Sequence, residues 1–374
     1  MKKIALLYAW KSTQGGITSF YKDILWSFDS TKYEFHIFTA TEKMPLDVFS
    51  HTETINTPEW LLNFIFKFNL HIPYSSLVML LFYRKLKKYD QVIINQELSF
   101  PLWIFLKNDI TILHGSTLMA MHSWIKEKKY FYALYYFIVS FNTVLTYLVA
   151  SKVYTVSEFT KNYISKFNNN VEVCWLWVDQ NFWKLEKHVK KIDFWFKESD
   201  FLLIFVWRFD IWKWSDKVIS IMDSLSKKNK DIKMLACVSK LPENYKEYEK
   251  IWIQFFKNLW KEDLKKLYSI SDTFFFPTRY EWYWLVLAEA LSVWLPVVTS
   301  NIALWNLLKC SKSKDSSIGN QVQILESEDI AKQYEDAVLN NYKRFLKGEL
   351  LKYRLNLNYL NLQNAIDKWV TIFK

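Results

Sequence analysis

The 374-residue chain predicts two doubly wound α/β domains in tandem. Its length exceeds one ordinary domain and suits two of medium size, each able to bury its own core. Short apolar runs alternate with longer amphipathic stretches throughout, the βαβ rhythm of a parallel sheet covered on both faces. A charged, aperiodic stretch from about Gln180 to Asp200 interrupts that rhythm once and reads as the linker between the domains.

In the first half the strand candidates are Ile4–Tyr8, Glu34–Thr39, Gln91–Asn95, Thr111–His114 and Val153–Ser157, separated by segments long enough for crossover helices. The start, MKKIALLYAW, is basic and then briefly apolar, but Lys11, Ser12 and Gln14 follow too soon for a signal peptide, so it reads as a first buried strand. From Tyr130 to Ser151, 22 residues pass without a formal charge, enough to meet the length criterion for a membrane span. The tyrosines, Ser140, Asn142, Thr143 and Thr146 within it disfavour a span. A buried helix leading into the Val153 strand is the expectation, with an interfacial, membrane-contacting helix as the alternative. The basic, aromatic segment Leu61–Lys88 reads as a solvated helix face, with membrane-surface contact again the alternative. In the second half, Phe201–Val206, Lys233–Val238, Thr273–Pro277 and Pro296–Thr299 are expected as buried parallel strands.

Composition excludes several classes. Hydrophobic residues make up 51% and charged residues 23%, far from the profile of a disordered chain. The net charge of +11 is spread along the chain with no basic block and no zinc-finger or RNA-binding pattern, so nucleic acid is not an expected partner. A solvated basic surface, or attraction to anionic lipid or phosphorylated substrates, remains. Cys174, Cys237 and Cys310 are scattered and odd in number, which indicates neither a disulfide framework nor a zinc site and fits a reducing cytoplasm, with the inner face of the membrane as a further location.

Glycine is anomalous. Only five occur, Gly15, Gly16, Gly115, Gly319 and Gly348, against 19 tryptophans. Together the two residues take about the share that glycine alone usually holds, roughly 7%. Trp207, Trp212, Trp214, Trp282, Trp284 and Trp294 fall between apolar runs and at strand-to-helix turns, where positive φ or close backbone approach calls for a residue without Cβ. Lysine outnumbers arginine 44 to 5, which suggests an AT-rich coding sequence. The expectation is that many tryptophans stand for glycine through a reassigned UGA codon.

Two segments carry the chemistry. Arg279-Tyr280-Glu281-Trp282-Tyr283-Trp284-Leu285 follows a strand and opens a helix that contains Glu289. A helix N-terminus in that position offers free N–H groups and a positive dipole end to a diphosphate. Glu281 and Glu289 are then spaced to reach opposite ends of a nucleotide sugar. In the second segment, Arg208 and Lys213 lie on one short loop after a strand, suited to neutralise charge on a departing diphosphate. Weaker candidates are Gly15 and Gly16 after the first strand, for backbone approach to a phosphate, and His114 at a strand end, for a sugar hydroxyl.

With glycine at three positions, residues 279–298 read RYEGYGLVLAEALSVGLPVV, which closely resembles the E-x7-E motif of glycosyltransferase family 4. Trp207 to Trp214 resembles that family's G-R-x-x-x-x-K-G loop, and Val156-Ser157-Glu158-Phe159-Thr160-Lys161 its V-S-E-F-T-K segment. Leu176-Trp177-Val178-Asp179 stands where the family has N-G-V-D, with Leu176 in place of Asn, and Ala236–Lys240 lacks the family's glycine-rich turn near the base. The resemblance implies a GT-B fold, two Rossmann-like domains facing across a cleft. It implies domains at 1–180 and 201–345, a linker at 181–200, and a C-terminal helical segment, 346–374, packing back toward the first. It further implies a retaining, metal-independent hexosyl transfer from a nucleoside-diphosphate sugar to an acceptor hydroxyl, with no cofactor. The implied catalytic set is Arg208, Lys213, Glu281 and His114. Donor-binding positions are Glu289, Gly15, Gly16, Trp282, Tyr283, Trp284 and Leu285. The implied acceptor is a glycan or a lipid-linked molecule, with peripheral membrane contact. A sugar-nucleotide epimerase of the same fold, or a non-catalytic binding protein if the tryptophans are genuine, are the competing readings.

Overall fold

The computed structural model describes residues 1–8, 25, 28–39, 51–54, 58–67, 74, 77, 80–95, 109–113, 117–126, 128, 130–174, 178–206, 209, 215–278, 285–300, 322–325, 330–350 and 362–373. The chain forms two compact units, Met1–Leu176 together with Leu362–Lys374, and Trp177–Asn361.

The first unit holds seven parallel strands: β1 (Lys2–Tyr8), β2 (Tyr33–Thr39), β3 (His51–Thr54), β4 (Gln91–Asn95), β5 (Asp109–Leu113), β6 (Val153–Thr155) and β7 (Val171–Val173). Their order is β3-β2-β1-β4-β5-β6-β7, so the sheet changes direction between β1 and β4. Its helices are α1 (Glu59–Lys67), α2 (Tyr83–Leu86), α3 (Thr117–Lys126), α4 (Tyr130–Val149) and α5 (Glu158–Ile164). Ser157 caps α5, its hydroxyl accepting from the Thr160 N–H at 3.2 Å. Phe82 and Leu86, at the start and end of the α2 turn, pack onto Ala5, Leu7, Val92 and Ile94.

The second unit has six parallel strands: β8 (Phe201–Val206), β9 (Ile232–Val238), β10 (Ile253–Lys257), β11 (Thr273–Phe276), β12 (Val297–Ser300) and β13 (Val322–Leu325), in the order β10-β9-β8-β11-β12-β13. Among the described residues its helices are α6 (Ser215–Lys228), α7 (Tyr245–Glu249), α8 (Lys261–Ile270), α9 (Leu285–Ser292) and α10 (Ile330–Leu346). Every residue of β8 is buried, as a central strand covered on both faces requires. Phe201, Leu203 and Phe205 pack with Val218, Ile221, Met222 and Leu225 of α6 and with Tyr334 and Val338 of α10. Leu202, Ile204 and Val206 pack on the other face with Leu267 of α8 and with Leu287 and Leu291 of α9.

Residues 181–200 fold onto the second unit. Trp183 is buried edge-on against Tyr268, ring centres 5.6 Å apart. The Lys191 ammonium donates to Asp272 Oδ2 at 2.7 Å and to the Asp200 carbonyl at 2.6 Å. Asp200 in turn accepts from Lys233 at 2.7 Å. A buried lysine is tolerable only with such partners, so this network anchors the stretch beside β8 and β11. The last helix, α11 (Leu362–Phe373), belongs to the first unit. Its Trp369 is buried, Lys368 pairs with Glu172 at 2.6 Å, and the Ile372 carbonyl accepts from Gln91 Nε2 at 3.2 Å.

Among the described residues, five other than glycine have positive φ, and three of them are tryptophan: Trp195 (63°), Trp252 (65°) and Trp294 (67°). Gly348 has φ of 68° and closes α10 with two hydrogen bonds, Gly348 N–H to the Phe345 carbonyl and Glu349 N–H to the Arg344 carbonyl. Trp294 closes α9 with the same pair, to Leu291 and from Leu295 to Ala290. Trp195 closes the 3₁₀ turn Lys191–Phe194 likewise, to Ile192 and from Phe196 to Lys191. This is the helix stop in which glycine is the usual left-handed residue, because an L side chain there costs about 1–2 kcal/mol.

Candidate functional site

The second sheet changes direction between β8 and β11, which pair in parallel with Leu203 opposite Thr273 and Ile204 opposite Phe274. In an open parallel sheet, ligands bind beyond the carboxyl ends of the strands at such a switch point. Val206 and Phe276 end these neighbouring strands, so the chain leaves both at the same edge of the sheet. The segment after Val206 carries Arg208 and Lys213. The segment after Phe276 carries Glu281, Trp282, Tyr283 and Trp284 and leads into α9. Those six residues themselves lie outside the described residues, as do Gly15, Gly16 and His114.

Leu285 and Glu289 are described, both on α9. Val286, Leu287, Ala288, Ala290 and Leu291 are buried in the core, which fixes the helix against the sheet, while Leu285 and Glu289 are half-buried. Glu289 is the acidic residue of an otherwise uncharged helix. The Tyr268 hydroxyl on α8 lies 3.4 Å from Glu289 Oε2 and 3.3 Å from the Val286 carbonyl. Burial raises the Glu289 carboxyl to about 7, against the opposing pull of Lys261 and the Tyr268 hydrogen bond. Burial and the neighbouring carboxylate likewise hold the Tyr268 phenol well above its ordinary value, so it stays a donor. Tyr268 was not distinguishable in the sequence from the other tyrosines; only its packing under α9 marks it.

A carboxyl raised in the folded state favours folding most when protonated. Its contribution is complete below the ordinary value of 4.5 and is lost as pH rises through about 7. Glu289→Gln is therefore expected to flatten the fall in stability of the free protein between pH 4.5 and 7. Chemical denaturation across that window checks it, and identical pH profiles for variant and parent would contradict the burial of this carboxyl.

Among the described residues no three His, Cys, Asp or Glu side chains cluster as a metal site would require, and no helix is long and apolar enough to cross a membrane. Cys174 and Cys237 are buried, and burial holds both thiols far above their ordinary range, leaving them inert.

Residues 188–306 match the family model described as glycosyl transferases group 1, which places the match on the unit that contains the β8–β11 switch point. No curated protein matches the chain. Solved structures do, over nearly full length. Sucrose-phosphate synthase from Thermosynechococcus elongatus superposes with a TM-score of 0.70 at 15% identity, covering 100% of this chain and 96% of that one. WaaG, a glycosyltransferase involved in lipopolysaccharide biosynthesis, gives 0.70 at 14% identity, covering 98% and 95%. HepE from Anabaena in complex with UDP and glucose gives 0.64 at 14%, covering 99% and 100%. The fold is thus that of the GT-B glycosyltransferases.

Proposed function

We propose that the chain is a retaining glycosyltransferase of family 4 that moves a hexosyl group from a nucleoside-diphosphate sugar to an acceptor hydroxyl. The observation that carries this reading is the departure of the Arg208/Lys213 and Glu281 segments from adjacent strand ends at the switch point of the second sheet, with Glu289 on the helix that follows. HepE, crystallised with UDP and glucose, supports a nucleotide-sugar donor. In this reading Arg208 and Lys213 hold the diphosphate in place of a metal, and no cofactor takes part. Glu281 binds the donor sugar, and Glu289 accepts from the ribose hydroxyls. Trp282, Tyr283, Trp284 and Leu285 supply the backbone beside the phosphates. Gly15, Gly16 and His114 act from the first domain. The bond from the anomeric carbon to the leaving phosphate oxygen breaks, the acceptor oxygen bonds on the same face, and its proton passes to the leaving phosphate.

The acceptor in this reading is a glycan or lipid-linked molecule met at the cytoplasmic face of a membrane, in cell-surface polysaccharide or glycolipid synthesis. Glycine occupies many of the tryptophan positions in the cell, including Trp207, Trp214, Trp282 and Trp284, which keeps the phosphate-cradling turns open. Reading the gene tests that part: UGG at these codons would refute it.

The donor is tested by thermal shift of the glycine-restored protein against UDP-, GDP- and ADP-sugars. One of them should raise the midpoint, and a ligand at 100 times its Kd stabilises by about 2.7 kcal/mol. No shift with any of them would sink the assignment. Because hydroxyl donors favour the ionised carboxyl, donor affinity should also rise with pH through about 7 and lose that dependence in Glu289→Gln. A new sugar nucleotide formed from donor alone would instead identify an epimerase.

A further inference from the structure

Helix α4 carries twenty residues without a formal charge. At 3.6 residues per turn, Tyr130, Leu134, Phe137, Phe141 and Leu148 fall on one narrow stripe. Each of the five is between 56% and 69% exposed, whereas Ala133 and Ser140, about a quarter turn round the helix, are buried. The helix expected to lie inside the domain therefore shows water a ridge of aromatic and aliphatic side chains, with Val144 and Leu145 half-buried within it. The ridge is about 27 Å long at 1.5 Å per residue. Contiguous apolar surface of this kind marks an interaction site.

Charge selects the occupant. Lys126, Lys128 and Lys129 immediately precede α4 and Lys152 follows it, and from Glu59 to Lys152 ten basic residues stand against five acidic ones. Lys128 is exposed and Lys152 half-buried. A second copy of the chain would bring the same positive charge to the same ridge, a mismatch that costs association. An anionic lipid surface brings the opposite charge at the ridge's ends and an apolar layer for its middle. Along the strand order, the β3-to-β4 and β5-to-β6 connections advance in the same direction, so right-handed crossovers put both on one face of the first sheet. Phe64 and Leu81, also exposed, lie on the former connection.

We infer that α4 is a membrane-docking element, lying in the interface of an anionic bilayer with Leu134, Phe137 and Phe141 inserted among the acyl chains. Docking names the acceptor's setting in the transfer proposed above and rests on that reading only there; the surface stands without it. The test is co-sedimentation of the full chain with vesicles of phosphatidylcholine alone and with equal parts phosphatidylglycerol, in the absence of sugar nucleotide. The parent should pellet with the anionic vesicles and release them as salt is raised. The triple substitution Leu134→Ser, Phe137→Ser and Phe141→Ser should weaken this at least roughly tenfold, with an unchanged melting midpoint because the three side chains are exposed. A parent chain that stays in the supernatant overturns the inference, as does a triple variant that binds like the parent. A dimer that the triple substitution converts to monomer, with no vesicle binding, assigns the ridge to self-association and overturns it too. Because no donor is present, failure here leaves the donor assignment standing, and failure of the thermal-shift panel leaves docking standing.

Discussion

The combined substitutions Trp195→Gly, Trp252→Gly and Trp294→Gly are expected to raise the melting midpoint of the second unit by on the order of 10 °C. Each removes an L side chain from the left-handed region, at about 1–2 kcal/mol per position. Trp195 gives the cleanest gain, since its side chain is 84% exposed and little packing is lost with it. Trp252 gives less, because its ring lies 5.1 Å from the Lys233 ammonium and that contact disappears. The reverse substitution, Gly348→Trp, is the internal control. A Cβ built at Gly348 meets nothing within 4 Å, so its cost is conformational and should match the Trp195 gain with opposite sign. Thermal and urea denaturation of the four single variants read these values. A midpoint unchanged or lowered by Trp195→Gly would show that this turn is not a glycine site.

Removing Arg208 or Lys213 by Arg208→Ala or Lys213→Ala is expected to lower kcat by about 10²–10³ in the glycine-restored enzyme. In the proposed transfer both cations act on charge that grows as the diphosphate leaves, so their interaction would strengthen toward the transition state and appear in kcat more than in KM. Arg208→Lys should recover part of the loss, because a lysine supplies the charge without the planar fork. Glu289→Ala should act differently, raising KM for the donor while leaving kcat closer to the parent. Steady-state kinetics at saturating acceptor separate the two patterns. An Arg208→Ala enzyme with parental kcat would remove the diphosphate role.

The strands that were legible in the sequence share one property. β1, β2, β4, β5, β6, β8, β9, β11 and β12 lie inside their sheets, and in β8 and β11 every residue is buried, which writes an unbroken apolar run. β3, β7, β10 and β13 were not anticipated, and they are the four edges of the two sheets. An edge strand has one neighbour and less cover: β3 reads His-Thr-Glu-Thr, and in β10 only Ile253 is buried. Residues 181–200 looked like a linker because they are charged and aperiodic; their partners Asp272, Ser269 and Lys265 lie about 80 positions away, beyond any local pattern. The segment proposed as the donor site stood out through order and spacing once glycine was read at three tryptophans. Tyr268 was not, since its role depends on which face of α8 meets α9.

The return of α11 to the first unit makes the second unit an insertion within it. During synthesis, the site that will receive Trp369 stays open while the whole of Trp177–Asn361 is made, at about 5–20 residues per second. The second unit can fold as a continuous stretch of nascent chain in that interval. The first must wait for a helix whose partners, Gln91 and Glu172, left the ribosome much earlier. Loss of the stretch that encodes α11 would therefore strike the amino-terminal half of the protein, leaving a first unit that lacks the helix carrying Trp369.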